Sequence, residues 1–60
     1  MLRADERRNT MGKVYARLIH DYVAYGIDTT VHSIADVKPK YKDATRTAYM
    51  DLFGTEAPEE

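Results

Sequence analysis

The sequence predicts a small all-α protein, either a three-helix unit or a helical hairpin with a short connecting helix. Three observations carry that prediction. Apolar residues recur at helical spacing over two long stretches, 11–25 and 41–53. Each stretch ends at a glycine, Gly26 and Gly54, the residue that most readily takes the left-handed backbone that closes a helix. No stretch reads as a convincing strand, although 27–32 (IDTTVH) is β-prone and could run extended.

In the first helix Met11, Tyr15, Leu18, Tyr22 and Tyr25 step by four, three, four and three residues, and Val14, Ile19 and Val23 widen that stripe to one broad face. Lys13, Arg17 and Asp21 fall on the opposite face, where Arg17 and Asp21 are spaced to pair. The helix starts near Thr10 or runs back through Ala4. Residues 3–9 favour helix but bury little, and Gly12 weakens the join by about 1 kcal/mol relative to alanine. Next, Thr30 is a candidate N-cap, with Ser33 and Asp36 as a capping-box-like alternative. Val31, Ile34 and Val37 then suffice for one or two turns before Pro39 ends them, because the residue before a proline avoids the helical region. Pro39 suits the first position of the last helix. There Tyr41, Ala44, Ala48 and Leu52 form the inner stripe, flanked by Thr45, Tyr49 and Phe53. Two alanines on that stripe would let another helix approach closely.

The organisation read from this pattern is a charged segment 1–10 that is a candidate helical extension, a helical domain 11–54 and a disordered acidic tail 55–60. The chain has 60 residues, room for one small domain. All nine basic side chains precede the tail, which carries Glu56, Glu59 and Glu60, so a mildly basic body is masked in the net charge of −1. That balance gives no global pull toward nucleic acid or membrane. A domain this short buries little of its surface, and natural chains of this size often add disulfides, a metal or a partner. With no cysteine, disulfides are excluded. The two histidines, His20 and His32, lack a cysteine or a tight acidic cluster beside them, so neither a metal nor a cofactor is expected. A protein partner or a second copy is the remaining staple. Residues 1–10 (MLRADERRNT) hold no apolar run of signal-peptide length, and no stretch approaches a membrane span. The expected location is the cytoplasm, or a virus particle assembled there.

Chemistry-bearing patterns are sparse. Nucleotide-binding glycine loops, HExxH and calcium-loop spacings are absent. Asp43 and Asp51 read as solvated helix residues. We therefore expect no enzyme and no small-molecule substrate. The tyrosines are the unusual feature: five of the six aromatic residues, Tyr15, Tyr22, Tyr25, Tyr41 and Tyr49. A ring with a hydroxyl suits half-buried positions and interfaces. The candidate protein interface is Tyr15, Tyr22 and Tyr25, with Met50 and Phe53 at the end of the last helix. A second reading takes 30–52 as resembling a helix-turn-helix, with Ser33-Ile34-Ala35 in its first helix and Lys38, Lys40, Lys42 and Arg46 meeting DNA. Against it, the turn carries Lys38-Pro39-Lys40 in place of glycine, and Asp43 and Asp51 would repel phosphate.

Lys13-Val14-Tyr15-Ala16-Arg17-Leu18-Ile19 resembles an opening K-x-Y-A-x-L-I pattern, and Thr30, Ser33-Ile34-Ala35-Asp36-Val37 and Pro39-Lys40-Tyr41 resemble a following T-I-x-D-V-P-x-x-Y pattern. Both occur in very short proteins encoded in phage and prophage gene clusters. The resemblance implies a small accessory protein of a mobile element, with no catalysis. The expectation from residues and resemblance together is a self-associating protein that works by protein–protein contact, as an assembly or structural factor or an inhibitor of a larger partner.

Overall fold

The computed structural model describes residues 3–60, and all of their side chains except those of Ala4 and Asp5. Met1 and Leu2 of the N-terminal segment lie outside the described residues. The all-α expectation holds: two α-helices, α1 (Ala4–Tyr25) and α2 (Lys42–Phe53), are joined through two single turns of 3-10 helix, Ile34–Asp36 and Pro39–Tyr41, and no strand occurs among the described residues. The first helix therefore takes in residues 4–10. Both glycine stops are where the spacing puts them. Gly26 and Gly54 have φ of 68° and 69°. The Gly26 N–H donates to the Tyr22 carbonyl and the Gly54 N–H to the Met50 carbonyl, satisfying acceptors the helix would otherwise leave open.

The middle segment does not become a helix. Ser33 and Val37 have extended backbone, which leaves one 3-10 turn between them, and Lys38 (φ −56°, ψ 139°) is not helical either. Pro39 explains the downstream limit, since it holds Lys38 out of the helical region. Upstream, Asp36 reaches past Ser33 and accepts the backbone N–H of His32 at 3.0 Å, one residue earlier than a capping box would place it. Val31, Ile34 and Val37 are nevertheless all buried, so their threefold spacing reports the core correctly.

The topology is not a hairpin. Gly12 of α1 lies against Ala44 of α2, and His20 lies against Phe53, so residue numbers rise together along both helices. The two helices run in the same general sense. The connector 26–41 must travel back along α1, and it does so with Val31, Ile34 and Val37 buried: the Tyr22 ring stacks on His32, and Tyr15 packs near Tyr41 with ring centres 5.8 Å apart. A hairpin needs a loop of only a few residues; this connector has the length to return.

Small residues set which faces meet. The expected stripe of α1 was the large one, yet the buried positions are Gly12, Ala16 and Ile19, with Met11, Tyr15 and Leu18 half-buried at the rim. A Cβ built on Gly12 would stand 2.7 Å from the carbonyl carbon and oxygen of Ala44, so only glycine permits this approach. The contact line thus falls on the small-residue edge of a broad apolar band. On α2 the buried set is Thr45, Ala48 and Tyr49, while Leu52 of the expected stripe is exposed. Thr45 is fully buried, and its hydroxyl donates to the Tyr41 carbonyl at 2.7 Å, which offsets the cost of removing it from water.

The tail 55–60, expected to be disordered, is seated on the body. The carbonyls of Pro58 and Glu59 accept the N–H groups of Ile34 and Ala35 at 2.9 and 3.1 Å. Ala57 joins the core cluster with the connector valines and Tyr49. The tail's composition gave no sign of this, because the anchoring is by main chain, by one small side chain and by one ion pair. The radius of gyration, 10.8 Å, matches the roughly 10 Å expected of a compact chain of this length.

Candidate interaction surface

Because the helices run in the same sense, both end at the same end of the molecule. The inner faces continue there without cover. Ile19 is fully buried, but Val23, one turn further along the same face, is 53% exposed. Ala48 is buried, but Leu52, one turn further on α2, is 42% exposed. Tyr25, in the last turn of α1, is 69% exposed, and Ile27, just after that helix ends, is 52% exposed. The core is open at this end: apolar surface that is core elsewhere meets water here.

His20 organises the rings beside the opening. Its imidazole stacks on Phe53 with centroids 3.8 Å apart and planes 5° from parallel, and it meets Tyr25 and Tyr49 edge-on. Tyr49 is buried, and burial pushes its phenol above the ordinary tyrosine range. His20 thereby links two of the sequence-derived interface residues, Tyr25 and Phe53, through itself. The other three fall elsewhere. Tyr15 is half-buried against Tyr41, Tyr22 is spent partly on His32, and Met50 lies on the tail side of α2 in an open cleft with Arg46, Thr47 and Glu56. Sequence reasoning missed Val23, Ile27 and Leu52. A signal was present, since Val23 and Leu52 continue the spacing of Ile19 and Ala48, but the direction of α2 relative to α1 was needed to bring them to one end.

The chain matches no protein-family model, no curated protein and no solved structure.

The basic candidates are placed differently. Lys38 and Lys40 are exposed, with the Lys40 ammonium 5.0 Å from the centre of the Tyr41 ring. Lys42 is half-buried. Arg46 is engaged: its Nη2 donates to Glu59 at 2.8 Å, its Nε to the same carboxylate at 3.1 Å, and its Nη1 to Asp43 at 2.8 Å. The hydrogen bond from Arg46 holds the Glu59 carboxyl below the usual glutamate range, and the paired carboxylates raise Arg46 in turn. His32 Nε2 lies 3.3 Å from Asp28 Oδ1, within hydrogen-bond distance; among the described residues Arg17 and Asp21 do not form an ion pair. Also among the described residues, no helix is long and apolar enough to cross a membrane, and no group of His, Asp or Glu side chains is clustered to hold a metal ion.

Proposed function

We propose that this protein works by protein–protein contact, as a small accessory that associates with itself or with a larger partner, through the open end of its core. The observation that carries this reading is the pair Val23 and Leu52: each continues a buried helix face by one turn and is left about half exposed. Burying such a surface is worth roughly 25 cal/mol per Å², and a chain this short has little other reserve of apolar area to draw on. Tyr25 and the ring of Phe53, linked through His20, add the aromatic part of the mixture typical of interface centres. The likeness of 13–19 and 30–41 to short phage and prophage proteins supports an accessory role in assembly, structure or inhibition of a larger mobile-element protein.

The DNA-binding reading is weaker. A helix-turn-helix needs a first helix to cross the backbone while the second enters the groove. Here Ile34–Asp36 is a single turn, and Arg46 already has two carboxylates. Binding to duplex DNA that falls steeply with salt would revive it.

The test is mass in solution by sedimentation over a wide concentration range, on the wild-type chain and on Leu52→Glu and Tyr25→Ala. The expected result is a wild-type assembly that both substitutions weaken while far-ultraviolet circular dichroism stays unchanged. A wild-type chain that is monomeric throughout leaves the larger partner as the only occupant, to be sought by crosslinking from position 52. Assembly indifferent to both substitutions removes this surface from consideration.

A further inference from the structure

We infer that the groove holding residues 57–59 is a peptide-binding site for an extended acidic segment of another protein, which the chain's own tail occupies in the free molecule. The contacts are those of peptide recognition and do not depend on the open end described above. Two main-chain donors of the body, the N–H groups of Ile34 and Ala35, meet two successive carbonyls of the tail, those of Pro58 and Glu59. A slot takes one small side chain, Ala57, which is 7% exposed. A fork takes the carboxylate: Arg46 binds both oxygens of Glu59, and Asp43 fixes the guanidinium from the other side. Proline sits between slot and fork without loss, because the body supplies both donors and no N–H is required of that residue. The demands on an occupant are thus a small residue, then any residue with a free carbonyl, then an acid.

The tail meets these demands incompletely. It leaves an open cleft of about 480 Å³ against α2, whose wall includes Thr47, the 43%-exposed Met50 and Asp51. The tail lines this partly apolar space with Glu56, Ala57 and Glu59 and with no large apolar side chain. The tether is also exposed: Gly54, Thr55 and Glu56 face solvent, and nothing lies within 4 Å of where a Gly54 Cβ would be. A segment carrying a large apolar side chain at the position equivalent to Glu56 would cover Met50, keep the other contacts and displace the tail. A second copy's tail would bring the same glutamate and gain nothing, which favours a different protein as the source.

The experiment uses the isotopically labelled full-length chain and two peptides, the tail's own TEAPEE and TLAPEE, in which leucine replaces the residue equivalent to Glu56. Saturable shifts are expected at the amides of Ile34 and Ala35, with TLAPEE binding about tenfold or more tighter, as a buried leucine warrants. Ala57→Arg, which expels the tail from its slot, should tighten both peptides; Glu59→Arg, which reverses the clamp at an exposed position, serves the same purpose if Ala57→Arg does not fold. Arg46→Ala should weaken both peptides by roughly two- to fivefold with helicity intact. The inference is overturned if neither peptide binds at millimolar concentration to the tail-released variant, or if TLAPEE is no better than TEAPEE. Protection of Ile34 and Ala35 that rises with protein concentration, together with mass, also overturns it, because the occupant is then a second copy's tail.

Discussion

The two ends of the helix pair differ in how the same apolar faces are used. Toward the start, Gly12 and Ala44 let the backbones nearly touch, and the connector's Val31, Ile34 and Val37 complete a closed core with Ala16, Ile19, Thr45 and Tyr49. Toward the finish, Val23 and Leu52 have the same positions on the same faces and are left half in water. Composition does not separate the two ends. What separates them is cover: the connector passes over one side, the tail over another, and nothing among the described residues closes the end where both helices stop. The closed half determines folding, and the open half is the part that a partner would complete.

A pair of truncations tests that division directly and gives the largest effect. Ile19→Ala should destabilise by about 2–5 kcal/mol, through lost transfer energy and the cavity left behind. Native stability of roughly 0.05–0.15 kcal/mol per residue gives a 60-residue chain only about 3–9 kcal/mol, so Ile19→Ala should leave much of the protein unfolded. Val23→Ala, one turn away on the same face, should stay within about 0.5 kcal/mol in the dissociated chain. Urea unfolding of both variants at low concentration measures the difference. Equal losses would mean that the open end is covered in the free protein.

Gly12 comes next. Alanine there gains about 1 kcal/mol of helix propensity, but its methyl would sit 2.7 Å from the backbone of Ala44, which cannot rotate away. Overpacking typically costs about 1–3 kcal/mol. Gly12→Ala should therefore lower stability by up to about 2 kcal/mol net, although at most exposed helical positions the same change stabilises. Adding Ala44→Gly should restore only part of the loss, since the close atoms include the carbonyl as well as the Cβ. Thermal midpoints of the three variants decide it, and a Gly12→Ala chain more stable than wild type would show that the helices do not meet at this distance.

Gly12 also marks where the sequence was legible and where it was not. The periodicity of 11–25 and 41–53, the glycine stops and the break at Pro39 follow from local chemistry, and each is found where local chemistry puts it. Which edge of a wide stripe becomes core depends on the other helix, and so the large residues Tyr22, Tyr25 and Leu52 read as buried or interfacial without a way to tell one from the other. Gly12 read as a weak point in a helix because its value lies wholly in a residue more than thirty positions away. The tail was the least legible part. Two main-chain hydrogen bonds and an alanine carry no compositional signal, and the Arg46–Glu59 pair joins residues whose proximity only the fold creates.

The smallest expected effect is on that pair, and its sign follows from the direction in which Arg46 moves Glu59. The carboxyl titrates below the ordinary glutamate range in the folded chain and within it, near pH 4.3, when unfolded. Its stabilising contribution is therefore complete above the ordinary range and is lost as pH falls through the lowered folded value. Arg46 stays charged throughout, so it adds no pH dependence of its own in this window. Wild type should lose more of its thermal midpoint between pH 6 and pH 3 than Glu59→Gln. The loss should coincide with falling amide protection at Ile34 and Ala35, the two groups that the tail covers, while protection at Ile19 persists to lower pH. The pair is exposed to solvent on both sides and the shift should be modest, shrinking further in high salt. Identical pH profiles for wild type and Glu59→Gln would mean that the tail is held by its main chain and Ala57 alone.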